Sequence, residues 1–181
     1  ITSRYLYHDP ALSPNDDFTR GQAIIRAMRC AACHDLAAEP DPAAAPSLQF
    51  VGNNLHSDWI VNWLSAKQAT EGNSIRRMPP FDLSKAEAEA VAAYLVSQSK
   101  ASKRPATDKK KPDLGKGKTL LLTTGCLACH SFGRVGESGL FGGGDLTTIA
   151  SKRPRDFFAH WLAAPQELNP HHRMPVFDLS K

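Results

Sequence analysis

The sequence predicts an all-α protein in which one small helical domain is written twice. Three observations predict it. A Cys-x-x-Cys-His cluster at Cys30–His34 returns at Cys126–His130. Each cluster is approached by a run of apolar residues at helical spacing. A second block, Arg77-Met78-Pro79 with Phe81-Asp82-Leu83-Ser84-Lys85, returns as Arg173-Met174-Pro175 with Phe177-Asp178-Leu179-Ser180-Lys181. The cysteine, histidine and methionine anchors repeat at an offset of 96 residues. Between them Leu48, Val51, Asp58 and Trp63 pair with Leu146, Ile149, Asp156 and Trp161 at an offset of 98. A two-residue insertion, compensated later by a deletion, accounts for the difference.

This repeat divides the chain into an N-terminal extension (1–17), a first domain (18–99), a basic Lys/Pro-rich linker (100–112) and a second domain (113–181). The extension resembles neither copy. Tyr5, Tyr7 and His8 suit packing on a neighbour, and Asp9-Pro10 and Ser13-Pro14-Asn15 read as turns. The first domain opens with a helix over Phe18–Arg29, with Ile24, Ile25 and Met28 on one face. Its counterpart spans Lys116–Thr124 and carries Leu120–Leu122. Loops follow, through Pro46-Ser47-Leu48 in one copy and Gly144-Asp145-Leu146 in the other. A short helix comes next, capped by Ser57 or Asp58, with Trp59, Ile60, Trp63 and Leu64 as its buried stripe. In the second copy Pro154 suits the first turn, and Pro165 stops the helix after Phe157, Phe158, Trp161 and Leu162. A capping box, Ser84-Lys85-Ala86-Glu87, opens the closing helix of the first domain, with Ala88, Val91, Ala92 and Leu95 inward. The second copy stops at Ser180-Lys181, where that helix would begin, so its closing helix is missing and the expectation is a truncated domain.

The four cysteines of the clusters are all the cysteines in the chain. Two thiols three positions apart, followed at once by an imidazole, form the pattern that attaches c-type haem. Each thiol adds to one vinyl group on the porphyrin edge, and one helical turn sets the sulfurs at vinyl spacing. The next residue is carried under the ring, where Nε2 binds iron. Zinc ribbons bring their pairs within about 20 residues, whereas Cys33 and Cys126 are 93 apart. A thioredoxin-like dithiol needs a βαβ setting that the sequence lacks. Cys30, Cys33, Cys126 and Cys129 are therefore expected to hold two haem c groups, with His34 and His130 as proximal ligands.

For the sixth position, Met78 lies 44 residues after His34 and Met174 lies 44 after His130. Both precede proline on loops, so their thioethers can be aimed at iron. The chain has three methionines, and the third, Met28, reads as core filler. His171 and His172 are rivals of Met174, although the first copy has Ile75 and Arg76 there. Arg77 and Arg173 suit propionates or simply loop solubility. Trp63 and Trp161 suit the core, or the haem edge and its propionates.

The net charge of +4 conceals an uneven distribution. Gln98–Lys118 holds eight Lys or Arg and two Asp, which leaves the rest of the chain at −2. This pattern excludes a nucleic-acid reading; the basic run is a solvated linker, or else a docking arm for an acidic partner or anionic lipid.

With cluster, loop methionine and flanking helices in place, the chain resembles class I cytochrome c, twice over, in the manner of two-domain di-haem cytochromes. The resemblance implies an all-α fold of two tandem cytochrome c domains, each wrapped around one covalently bound haem c. It further implies a loop carbonyl that orients the proximal histidine; Pro46 lies in that loop, and Gly144 takes its place in the second copy. The expected function is single-electron transfer through two His/Met haems without an enzymatic step of its own. The partners expected are redox donor and acceptor proteins, or a catalytic domain or subunit of a larger complex. Haem attachment implies export to the periplasm or the equivalent outer side of an energy-transducing membrane, with membrane association through an anchor or the basic linker. A di-haem peroxidase or a haem gas sensor would instead require one open iron.

Overall fold

The computed structural model describes residues 16–34, 36, 45–66, 78–100, 111–137, 143–169 and 172–177. These fall into two compact units, one over 16–100 and the other over 111–177. Tyr5, Tyr7, His8, Arg77, His171, most of the basic linker and the repeated Asp178–Lys181 lie outside the described residues.

In the first unit, helix α1 (Asp17–Ala27) starts where the Asp16 carboxylate accepts from Thr19 N at 2.7 Å and Thr19 Oγ1 at 2.8 Å. These bonds hold the Asp16 carboxyl below its ordinary range. The helix ends earlier than the expected Arg29 because Met28 is its C-cap and Arg29 turns left-handed, with φ 54°. Two short helices follow, α2 (Val51–Asn54) and α3 (Ser57–Ser65). The residue capping α3 is His56, with no side-chain cap bond, so Ser57 and Asp58 are not the cap; both stand in the first turn. Asp58 still complements the positive end of the helix there. Ile60 and Leu64 are buried, whereas Trp59 and Trp63 are only half-buried.

The closing helix α4 (Lys85–Gln98) begins at the capping box: Ser84 Oγ accepts from Glu87 N at 3.3 Å, and the Glu87 carboxylate accepts from Ser84 N at 2.8 Å. It buries Ala88, Val91, Ala92 and Leu95 as the pattern predicts, and Ala90 as well. Ala90 is buried because α1 and α4 form the main helix contact of this unit, and Gly21 sits at its tightest point. A Cβ on Gly21 would stand 2.0 Å from the Ala90 carbonyl oxygen. Only glycine lets the two backbones approach so far. Ile24, at 1% exposure, seals the same contact from α1.

In the second unit, α5 (Leu114–Thr123) starts before the expected Lys116 because the Asp113 side chain accepts from Lys116 N at 2.9 Å. Unlike α1, this helix buries none of its residues; Leu114 is 81% exposed and Leu122 50%. Gly117, which repeats Gly21, has nothing within 4 Å of a Cβ. The all-α expectation needs one correction here. Strands β1 (Ser131–Phe132) and β2 (Val135–Gly136) form an antiparallel hairpin, turned by Gly133 at φ 61°. Then come α6 (Ile149–Lys152), α7 (Arg155–Ala163) and α8 (Pro165–Leu168). Pro154 caps α7 from just outside its first turn, and Pro165 both ends that path and opens α8. Among the described residues no helix is long and apolar enough to cross a membrane.

Candidate haem-binding sites

The two cysteine clusters fold alike. In the first, Cys30–Ala32 make a 3₁₀ turn, and both Cys33 N and His34 N donate to the Cys30 carbonyl, at 3.2 and 2.9 Å. In the second, Cys126–Ala128 turn in the same way, with Cys129 N and His130 N on the Cys126 carbonyl at 3.3 and 3.0 Å. Each turn is entered through a left-handed residue, Arg29 at φ 54° in one and Gly125 at φ 96° in the other. That reversal swings the chain out of its helix and into the cysteine turn. All four thiols are free. Burial pushes the Cys30 thiol up, and the neighbouring Cys33 adds to the effect.

Each histidine ring is pinned by a main-chain oxygen. His34 Nδ1–H donates to the Pro46 carbonyl at 2.8 Å, and His130 Nδ1–H donates to the Gly144 carbonyl at the same distance. A carbonyl can only accept, so the neutral ring carries its proton on Nδ1 and leaves the Nε2 lone pair for a metal. The exchange of proline for glycine changes nothing, since both contribute a main-chain carbonyl. In the second unit, Gly143 brings the loop close enough: a Cβ there would stand 1.9 Å from the Cys129 oxygen. Asp145 fixes the next step of that loop through Thr147 N and Thr147 Oγ1, which hold its carboxyl below the usual range.

The loop methionines share a second repeated contact. The Trp63 indole N–H donates to Met78 Sδ at 3.3 Å, and the Trp161 indole N–H donates to Met174 Sδ at 2.9 Å. Trp63 stacks on Trp59 with centroids 5.1 Å apart, and Trp161 stacks on Phe157 at 5.5 Å. These tryptophans, expected in the core or at the haem edge, thus also contact the methionine sulfur.

These features fit haem c. The donors are two free thiols on one turn, an imidazole with Nε2 available and a thioether. Around the first cluster, half-buried Cys30, Leu36, Leu48, Leu55, Met78 and Phe81 pack on the buried core. Their apolar character suits a porphyrin. A zinc site would require at least three clustered His, Cys, Asp or Glu, and none occurs among the described residues. Residues 18–99 match the family model described as Cytochrome c. This stretch is a cytochrome c domain. The match supports a haem electron-transfer role with covalently bound haem c. No curated protein and no solved structure matches the chain.

Beside the cytochrome c domain, the second unit holds polar groups that the sequence pattern did not single out. His160 lies on the inner face of α7, 4% exposed, with Nε2 2.8 Å from Glu167 of α8. Its Nδ1 and that of His172 are the buried side-chain polar atoms without a hydrogen-bond partner among the described residues. His172, the rival of Met174, stands edge-on to Trp161 at 6.1 Å. Arg153 lies 4.4 Å over the Phe157 ring, and burial lowers its guanidinium to about 10. Burial, reinforced by Arg153, lowers the neighbouring Lys152 to about 8. The repeat gave a signal for both cations, since they replace Asn54 and Leu55 at the offset of 98.

Proposed function

We propose that this chain carries electrons one at a time through two covalently attached haem c groups, one in each unit. Each is held between a proximal histidine and a loop methionine: His34 with Met78, His130 with Met174. The observation that carries the reading is the duplicated pair of contacts, a 2.8 Å bond from imidazole Nδ1 to a loop carbonyl and an indole N–H on the methionine sulfur. Cys30, Cys33, Cys126 and Cys129 tether the groups by thioether bonds. The carbonyls of Pro46 and Gly144 keep each Nε2 aimed, and the methionine loops close the opposite side. Bound there, haem supplies the Fe(III)/Fe(II) couple, and thioether ligation favours the reduced form over bis-histidine ligation. With both axial positions filled, the protein contributes insulation, spacing and potential. With both residues bound, substrate would have no place on the iron, which favours electron transfer over peroxidase and gas-sensor readings.

Covalent haem attachment argues for an exported, periplasmic location and for redox-protein partners. The open face of α5, with Leu114 and Leu122 exposed and Gly117 uncovered, favours a second reading: a cytochrome module docked within a larger redox assembly. Intact-mass measurement of the holoprotein tests the haem count. The native chain should carry two haems, and the Cys126→Ala/Cys129→Ala variant one. A native chain with a single haem, retained in that variant, refutes the two-haem reading.

A further inference from the structure

Helices α7 and α8 bury three apolar residues, Phe157, Pro165 and Leu168, and one imidazole, His160, at 4% exposure. His160 Nε2–H donates to the Glu167 carboxylate at 2.8 Å, because a carboxylate only accepts. Its Nδ1 is left buried without a partner among the described residues. An orphaned buried nitrogen costs stability, and an apolar ring would pack there without that cost. What the polar pair adds is register. Apolar surfaces tolerate sliding, whereas one donor and one acceptor meet in a single arrangement.

From this pair a chain of main-chain bonds runs towards the methionine. Ala164 N donates to the His160 carbonyl at 2.8 Å and Glu167 N to the Ala164 carbonyl at 3.1 Å. Asn169 N donates to the Pro165 carbonyl at 2.9 Å, and His172 N to the Asn169 carbonyl at 3.0 Å. His172 stands edge-on to Trp161, and Met174 follows two residues later. At the offset of 98 the first copy has Asn62 and Ala69 in the places of His160 and Glu167, so it lacks both the imidazole and the acceptor.

We infer that His160 and Glu167 form a clasp that sets α8 on α7, and that His160 is thereby a positioning residue for Met174. This inference rests on His130/Met174 ligation as proposed above. A bound methionine leaves iron only when its loop moves. With the clasp closed, that motion starts no earlier than Glu167, seven residues before Met174. With the clasp broken it starts at Ala164, ten residues before, and α8 moves with the loop. The clasp therefore slows the exchange of the methionine for an outside ligand, and it does so in the second unit alone.

The experiment uses the full-length holoprotein with imidazole as the outside ligand, followed by loss of the near-infrared band of methionine-bound Fe(III). The phase missing from Met174→Ala belongs to the second haem. Glu167→Ala removes the acceptor, Glu167→Gln keeps an acceptor oxygen, and His160→Phe keeps a ring without nitrogens. Gln166→Ala, exposed on the same helix, is the control. A hydrogen bond to a charged group shifts an opening equilibrium by roughly tenfold or more, and the 60% exposure of the Glu167 side chain reduces that. Glu167→Ala and His160→Phe should therefore speed the second phase by about threefold to tenfold. Glu167→Gln should return it towards the native rate, and the first phase and Gln166→Ala should match the native protein. Hydrogen exchange should show lost protection at Asn169 and His172 in Glu167→Ala. Because Glu167 is exposed, that variant keeps the test open if His160→Phe fails to fold. A second phase unchanged in Glu167→Ala overturns the inference. So does equal acceleration of both phases, or a Glu167→Gln variant as fast as Glu167→Ala. A native protein with no phase that Met174→Ala removes refutes Met174 ligation itself, and the inference falls with it.

Discussion

Gly21 and Gly117 occupy the same place in the repeat and should respond to alanine with opposite signs. At Gly21 the new Cβ would lie 2.0 Å from the Ala90 oxygen, 2.7 Å from its carbonyl carbon and 2.8 Å from Tyr94 Cβ. Real Cβ contacts essentially never fall under 3.0 Å, so α1 and α4 must part by about 1 Å, and the obstacle is backbone rather than a flexible tip. Overpacking of this kind costs about 1–3 kcal/mol or more, against a helix-propensity gain of about 1 kcal/mol for replacing glycine. The net expectation is a loss of about 2 kcal/mol, roughly a 30-fold smaller folded-to-open ratio. At Gly117 nothing lies within 4 Å, so only the propensity gain remains and alanine should stabilise α5 by about 0.5–1 kcal/mol. Hydrogen exchange of the reduced holoprotein, read by mass spectrometry on peptides from α1, α4 and α5, separates the two units. Gly21→Ala should lower protection across α1 and α4, and Gly117→Ala should raise it in α5. Equal losses in both variants would mean that α5 is covered like α1, and an unchanged α1 would refute the close crossing.

Further outcomes follow from the same geometry. Arg29→Gly should stabilise the first unit, and Gly125→Arg should destabilise the second by about 1 kcal/mol, because a side chain at positive φ is strained; urea unfolding checks both. Lys152 keeps its proton to about pH 8 in the folded protein but to about 10.5 when unfolded. Between those values the unfolded state binds more protons, so the second unit gains stability as pH rises from 8 towards 10.5, and Lys152→Met should abolish that rise in urea titrations of the reduced protein. Ser84→Ala removes the acceptor for Glu87 N and should cost about 1 kcal/mol, seen as a lower thermal midpoint with fraying confined to the start of α4. If Met174 holds a second haem as proposed, Met174→Ala should let carbon monoxide bind that haem alone, visible as a shift of half the absorbance.

The elements most legible in the sequence were those whose determinants are local. The cysteine turns, the capping box at Ser84 and the apolar faces of α1 and α4 are each specified within about four residues, and each lies where spacing placed it. The hairpin at 131–136 was missed because its two strands have two residues each and no alternating run to read. The cap of α3 was misplaced by a residue because His56 starts the helix without a side-chain bond, against the preference for Ser or Asp. His160 carries no sequence signal of its own, since its burial depends on α8 folding back with Glu167. The indole bonds to Met78 and Met174 bridge 15 and 13 residues of chain. Such contacts arise from tertiary packing, and only their repetition at equivalent places could have hinted at them.

The most direct test of the proposed pair of six-coordinate haems is the optical spectrum of the reduced native protein before and after carbon monoxide is added. Neither haem band should shift if histidine and methionine hold each iron as proposed. A shift in half or all of the absorbance would contradict the account: at least one iron would then be open, with Met174 beside His172 the first place to look.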